Sequence, residues 1–365
     1  MSPEIVRHEI SGGWRIYRLP LEVFPGFWAN AYLVVGDGTV VLVDVGSGLG
    51  ESNQLLDQCM AEVRQEFDEE VGWDSLSHVL ISHGHIDHFG GVRFVKERSS
   101  ARIGVHELDL PVLIDYETRL ELMERRLRGY LMEAGLSAQD QAELMDLYLM
   151  NKSLFQSVSV DFTYEAADME LGPFEFFHAP GHCPGQVVIR LEDALLTSDH
   201  VLPEVTPHQS PEALSLSAGL DHYLSSLIRL MPFADGARLI LPGHGEPIQD
   251  LAGRVGQIRD IHLRRLERVL QMLETPRTIA EISSTLFPGV DGYHRLLAVE
   301  EAGAHVEYLH SRGFIGAASP QALRSEEEPI PYHRLAGSPA ELLGRLDRAE
   351  AGAATESERR MHVQL

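Results

Sequence analysis

The sequence predicts an α/β protein built on two packed β-sheets with helices on their outer faces, carrying a helical insertion and a small helical appendage. Three observations predict it. Short apolar runs punctuated by turns fill the first hundred residues and resume after about residue 168; the polar stretch between them repeats its apolar residues at helical spacing; and residues 254 to 317 lack strands of comparable length.

The elements follow in order. WRIYRLPLEV and ANAYLVVGDGTVVLVDVGSG read as strands, with Gly36-Asp37-Gly38 between two β-branched runs as a hairpin signal. The second run ends at Asp44 and a Gly46-Ser47-Gly48 turn, a helix is expected around 51 to 69, and HVLIS at 78 to 82 is the next strand, followed by ARIGVHE. From about 107 to 157, Leu120, Met123, Leu127 and Tyr130 share a helix face, and Ser137 with Asp140 starts a second helix carrying Leu144, Leu147 and Tyr148. Sheet patterning returns in MELGPFEFFHAPG, QVVIRLE, ALLTSDHVL and ARLILPGHG. The helix RDIHLRRLERVLQMLE is followed by a turn at Thr275-Pro276, a short helix IAEISSTLF and a longer one ending in EYLHSRGFI, a pattern with winged-helix character. The expected organisation is a catalytic domain over 1–252 with an insertion at about 107–157, a helical domain over 253–317, and a loosely held tail over 318–365 whose one amphipathic segment is SPAELLGRLDRAE.

Composition narrows the function. Thirty basic against 55 acidic residues give a net charge of −25, which repels phosphate backbones, so nucleic acid is not expected as a partner. Residues 254 to 317 carry eight arginines and eight acids, and Arg254, Arg259, Arg264, Arg265 and Arg268 read as a solvated helix face paired with Asp260 and Glu267. Two cysteines, Cys59 and Cys183, cannot form a disulfide framework; with no apolar signal segment and no uncharged stretch of membrane-spanning length, a cytoplasmic protein without a membrane partner is expected.

The chemistry is concentrated in SHGHIDHFGG. His83, His85, Asp87 and His88 crowd into one loop at a strand end, where α/β sheets place their sites. Alternate residues such as His83 and His85 face one ion, while Asp87 and His88 turn toward a second position. His182 in APGHCPGQ, Asp199 in TSDH and His244 in LPGHGEP occupy turns after other strands. Five histidines and two aspartates suit two metal ions. These motifs resemble, in order and spacing, the metal-binding motifs of the metallo-β-lactamase superfamily over roughly residues 14 to 250, with Asp44 in VLVDVGSG resembling the first of them. Asn30-Ala-Tyr32 and the strand into Asp44 look most like the glyoxalase II-like hydrolases, and the appendage resembles the C-terminal region of lactamase-β-like members, a group with thioesterase-type and RNA-cleaving proteins.

The resemblance implies a four-layer αββα sandwich. It puts His83, His85 and His182 on one metal, Asp87, His88 and His244 on the other, and Asp199 between them, with a hydroxide shared by two divalent ions, zinc first and iron or manganese next, as nucleophile. Asp87 is further expected to carry a proton to the leaving group. Asp44 is expected to brace the ligand loops, Cys183 to pack, His178 to be structural, and His200 and His208 to line the substrate pocket or bond locally. The expected activity is hydrolysis of a small ester, thioester or lactone, with a small acyl substrate as partner. A metal-dependent nuclease or phosphodiesterase and an iron-dependent dioxygenase are the alternatives within the superfamily. Leu202 and Pro203 stand where lactonases often show a tyrosine, no export signal supports a β-lactam substrate, and glutathione-holding basic residues are not identifiable. The insertion is expected to cover the cleft, enclosing an apolar pocket, or to form a homodimer contact.

Overall fold

In a computed structural model describing residues 4–150, 152–319, 321–324, 328–335 and 341, the hairpin signal becomes a two-residue turn. Gly36 pairs with Thr39, and Asp37 and Gly38 take φ of 48° and 70°. Two successive positive φ values are the pattern of a type I′ turn, whose twist suits the flanking strands. The chain divides into two units.

The first unit comprises Met1–Tyr116, Gln156–Pro207 and Pro232–Arg254. Its larger sheet joins β1 (Val6–Glu9), β2 (Arg15–Phe24), β3 (Phe27–Gly36), β4 (Thr39–Val43), β5 (Leu76–Leu80), β6 (Arg102–Val105) and β7 (Phe162–Thr163) in that spatial order. Pairing is antiparallel up to β4 and parallel from β4 to β7. The second sheet joins β8 (Glu170–Leu171), β9 (Phe174–His178), β10 (Val187–Leu191), β11 (Ala194–Ser198) and β12 (Leu239–Pro242), antiparallel except for the parallel pair of β11 and β12.

Alternation explains how the sheets meet. Tyr32 and Val34, and Val41 and Val43, send every second side chain into one core with Phe174 and Phe176, and with Val187, Ile189 and Leu191. Tyr164 and Phe176 stack there at 4.0 Å. The opposite faces are also covered, which is why β2 is buried at consecutive positions. Helix α1 (Ser52–Glu66) packs on β2, with Phe67 just beyond it edge-on to Tyr17 at 5.1 Å, and Phe233 stacks on Phe177 of β9. Helices α2 (Ile86–Phe89) and α3 (Val92–Lys96) follow β5, and α4 (Leu110–Ile114) follows β6.

The second unit comprises Glu117–Phe155, His208–Met231 and Val255–Leu365. It draws on α5 (Tyr116–Glu133), α6 (Ala138–Leu149), α7 (Leu220–Phe233), α8 (Leu251–Met272), α9 (Ile279–Leu286) and α10 (Gly292–Ser311), with the two-stranded pair β13 (Ile315–Ala317) and β14 (Tyr332–Arg334). Ser137 caps α6 by accepting the Asp140 N–H at 3.2 Å, and a Thr278–Glu281 capping box starts α9.

This grouping differs from the expected 1–252 and 253–317 domains, because the insertion's helices cluster with the C-terminal ones. The Tyr130 hydroxyl donates to the Val299 carbonyl at 2.9 Å, and Arg295 pairs with Asp140 at 2.6 Å. Helical spacing shows that a face is apolar but not which distant helix covers it. In the tail, Tyr332–Arg334 pairs with β13; SPAELLGRLDRAE lies outside the described residues except for Glu341. Two arginines of the expected solvated face are committed inward. Arg254 is buried and donates to the Leu202 and Val205 carbonyls at 2.6 Å each, and Arg265 pairs with buried Glu301 at 2.8 Å. Among the described residues no helix is long and apolar enough to cross a membrane.

Gly38→Ala places a Cβ in open space but in a left-handed conformation, so it is expected to lower unfolding free energy by about 1 kcal/mol in denaturant titrations.

Candidate metal centre

The site is assembled at the ends of β5, β11 and β12 and in the turn after β9, all within the first unit. The chain leaves β5 through Ile81 and Ser82, then turns with His83, Gly84 and His85 before α2 carries Asp87 and His88. His182 lies between β9 and β10, Asp199 follows β11 directly, and His244 follows β12. The parallel pairing of β11 and β12 brings the last two together. At Gly243 an added Cβ would stand 2.2 Å from Asp199 Oδ1, so only glycine lets β12 pass this close.

Three donor sets converge: His83, His85 and His182; His83, His88 and Asp199; and Asp87, His88 and His244. His85 Nδ1 stands 3.0 Å from His83 Nε2 and 2.9 Å from His182 Nε2. Asp199 reaches both sides, with Oδ2 3.6 Å from His182 Nε2 and 3.3 Å from His244 Nε2, and Oδ1 3.4 Å from His88 Nε2. Asp87 Oδ2 lies 3.4 Å from His244 Nε2. The floor is buried at His83 and His88, while Asp87 and His244 retain 15% and 13% side-chain exposure and mark the open side.

Outer partners fix which ring nitrogen faces inward. Asp44, buried with φ of 60°, accepts the Ser82 N–H at 2.8 Å on Oδ1, while its Oδ2 meets Ser82 Oγ at 2.7 Å and His88 Nδ1 at 2.8 Å. Ser82 Oγ also meets Ser198 Oγ at 2.7 Å and His83 Nδ1 at 3.1 Å. His244 Nδ1 donates to the Trp28 carbonyl at 2.7 Å. The Nε2 atoms of His83, His88 and His244 are thereby directed to the centre. Phe27 at the β2–β3 turn packs against His244 at 4.7 Å and stacks on Phe24, yet remains 47% exposed.

Charge is divided across the site. Burial, with neighbouring imidazoles, holds His83 and His85 well below the ordinary histidine range, so their nitrogens are neutral lone-pair donors. Burial acts the same way on His88 and His244, but carboxylates override it: Asp199, Asp87 and Asp44 raise His88, and Asp199 and Asp87 raise His244 to about 10. Burial pushes Asp87 and Asp199 up, and the His88 and His244 cations bring both below the usual carboxylate range.

The remaining sequence candidates make local bonds. His200 is fully buried beside Asp199, with its backbone N–H on the Thr197 carbonyl at 3.0 Å. His208 belongs to the second unit, where its Nε2 donates to the Leu297 carbonyl at 3.1 Å. His178 bonds the Pro184 carbonyl at 2.8 Å and stacks on His106. Ser82 and Ser198 were not singled out by sequence reasoning, and Arg254, which clamps the loop after Asp199, was read only as part of a solvated face. The serines carry a signal, a small hydroxyl directly before a ligand candidate; Arg254 carries none. A further donor group in the second unit, His262, Glu301 and His305, is taken up internally. Arg265 and the Gln209 N–H occupy the two Glu301 oxygens at 2.8 Å each, and His305 Nδ1 donates to the Glu301 carbonyl at 2.7 Å.

Residues 26–244 match the family model described as the metallo-beta-lactamase superfamily. The chain belongs to that superfamily. It is 25% identical over 292 residues to the probable metallo-hydrolase YqjP of Bacillus subtilis, covering 77% of this chain and 87% of that one. It is 26% identical over 246 residues to the atrochrysone carboxyl ACP thioesterase of Aspergillus terreus, covering 67% of this chain and 58% of that protein. Among solved structures it resembles the metallo-beta-lactamase family protein TTHA1429 of Thermus thermophilus, with a TM-score of 0.66, 26% identity, and coverage of 88% and 98%. The mixed sheets with flanking helices are the α/β sandwich of this superfamily, and the helical C-terminal region is present.

Superfamily membership implies divalent metal ions, and the donors fit them. Imidazole nitrogens bonded tetrahedrally at about 2.0–2.1 Å stand about 3.3 Å apart, close to the spacing of His83, His85 and His182. His88 Nε2 and Asp199 Oδ1 are buried, face one another and make no hydrogen bond. An ion held there would satisfy both.

Without metal, raised His88 and His244 are protonated at neutral pH, whereas ligation needs their lone pairs. Metal uptake at pH 7 is therefore expected to release protons and to weaken as pH falls. Calorimetry in buffers of different ionisation enthalpy checks this, and a heat independent of buffer contradicts it.

Proposed function

We propose that the protein is a dinuclear metal-dependent hydrolase of a small ester or thioester, lactones included. One metal is assigned to His83, His85 and His182, the other to Asp87, His88 and His244, with Asp199 between them. The observation that carries the reading is the convergence of these seven side chains from four separate segments, with Asp199 within 3.6 Å of a nitrogen in each set. Zinc is the first assignment for five imidazoles and two carboxylates, ahead of iron and manganese. Divalent ions there supply a nucleophilic water near neutral pH and polarise the scissile carbonyl.

The chain's own residues do the rest. Asp87 is ionised and sits on the open side next to His244, so it accepts a proton and delivers it to the departing oxygen or sulfur. Phe27 and Phe24 form an apolar platform beside His244, suited to the hydrocarbon part of an acyl group. Similarity to the fungal thioesterase supports a thioester, and similarity to YqjP supports hydrolysis.

Metal-stripped protein reloaded with zinc is expected to cleave p-nitrophenyl esters or acyl thioesters at least 100-fold faster, in kcat/KM, than bis-p-nitrophenyl phosphate. Preference for the phosphodiester would favour a nuclease, and oxygen uptake by iron-loaded protein a dioxygenase. Asp87→Asn should lower kcat by about 10²–10⁴-fold; full turnover with both metals retained would refute the proton-carrying role. Phe27→Ala should raise KM for long acyl chains several-fold and leave acetyl esters nearly unaffected, as a chain-length series would show.

A further inference from the structure

Asp109 stands on none of the motifs that define the site, yet its side chain meets two of them. It lies just before α4, fully buried, and is neither a donor to the centre nor on the open side. Its Oδ2 accepts the Gly84 N–H at 2.7 Å, and its Oδ1 accepts the Gly185 N–H at 2.9 Å. The Cys183 thiol donates to the same carboxylate, 3.4 and 3.3 Å from its two oxygens. Gly84 is the residue between His83 and His85, and Cys183 directly follows His182.

We infer that Asp109 is a positioning residue that clamps together the two loops supplying His83, His85 and His182, and so sets the metal affinity of that half of the centre. The inference rests on the dinuclear reading above. Each oxygen of one rigid carboxylate holds a backbone N–H from a different loop, so the ligands' separation is tied to the width of the carboxylate. The fit is close enough to dictate sequence. A Cβ at Gly185 would lie 2.5 Å from Asp109 Cγ, and one at Gly84 would lie 3.2 Å from it. The other half has a different brace, since Asp44 bonds His88 directly. Cys183 is assigned here as a donor to the clamp, its sulfur within hydrogen-bonding reach of both Asp109 oxygens.

Asp109→Asn preserves volume but leaves one acceptor where the loops need two. On metal-stripped protein titrated with zinc against a chromogenic chelator, the variant is expected to bind one of two equivalents about 10- to 100-fold more weakly and the other unchanged. In a His85→Ala background the same substitution should have no further effect, whereas in a His244→Ala background it should keep its full effect. Folded Asp109→Asn with both affinities unaltered, both weakened alike, or an effect additive with His85→Ala overturns the inference. Wild-type protein that takes up no zinc overturns the dinuclear reading instead. Amide hydrogen exchange of metal-free protein tests the clamp independently of metal and of the variant's folding: wild-type Gly84 and Gly185 amides are expected to exchange slowly. Exchange at the rate of open loops sinks it.

Discussion

The geometry of the centre depends on the buried carboxylate of Asp44. With one oxygen on the Ser82 N–H and the other on Ser82 Oγ and His88 Nδ1, it joins the start of the ligand loop to its end. Ser82 in turn meets Ser198, which belongs to the other sheet, so the hydrogen bonds that orient His83 and His88 also tie the two sheets together at the site. A buried anion is costly unless hydrogen-bonded, and leaving its partners unpaired would be costly as well. The polar network is therefore specified as a whole.

The surrounding apolar core makes that network possible. Two sheets with both faces covered hold their strand ends in fixed register, and a parallel β11–β12 pair delivers Asp199 and His244 to the same edge. The low dielectric that this core provides has opposite effects on neighbouring groups. It keeps His83 and His85 neutral, while the carboxylates facing His88 and His244 attract positive charge. A site that concentrates two carboxylates and five imidazoles in this way is suited to cations, and protons and metal ions compete for it.

Much of this was legible in the sequence. The hairpin at Asp37-Gly38, the helix start at Ser137, the strands that flank the insertion and the seven site residues are all local signals, set by backbone preference or by residue type within a few positions. For His208 the sequence offered a pocket-lining or a local role, and the structure shows a bond to the Leu297 carbonyl, a partner that no nearby residue signals. The clustering of the insertion with the C-terminal helices, and the inward use of Arg254 and Arg265, involve partners tens to hundreds of residues away. No local pattern encodes such a choice of partner.

By itself the sequence determined the fold class and singled out the side chains that converge, because glycine, β-branched and imidazole-bearing residues act through local conformation and intrinsic chemistry. The tertiary structure alone decided which ring nitrogen each histidine presents, which residues remain open to a substrate, and that Asp109 bonds Gly84 and Gly185 while Asp44 bonds Ser82 and His88. Those are matters of distance between loops brought together by packing, and hydrogen bonds are selective only at the range that packing creates.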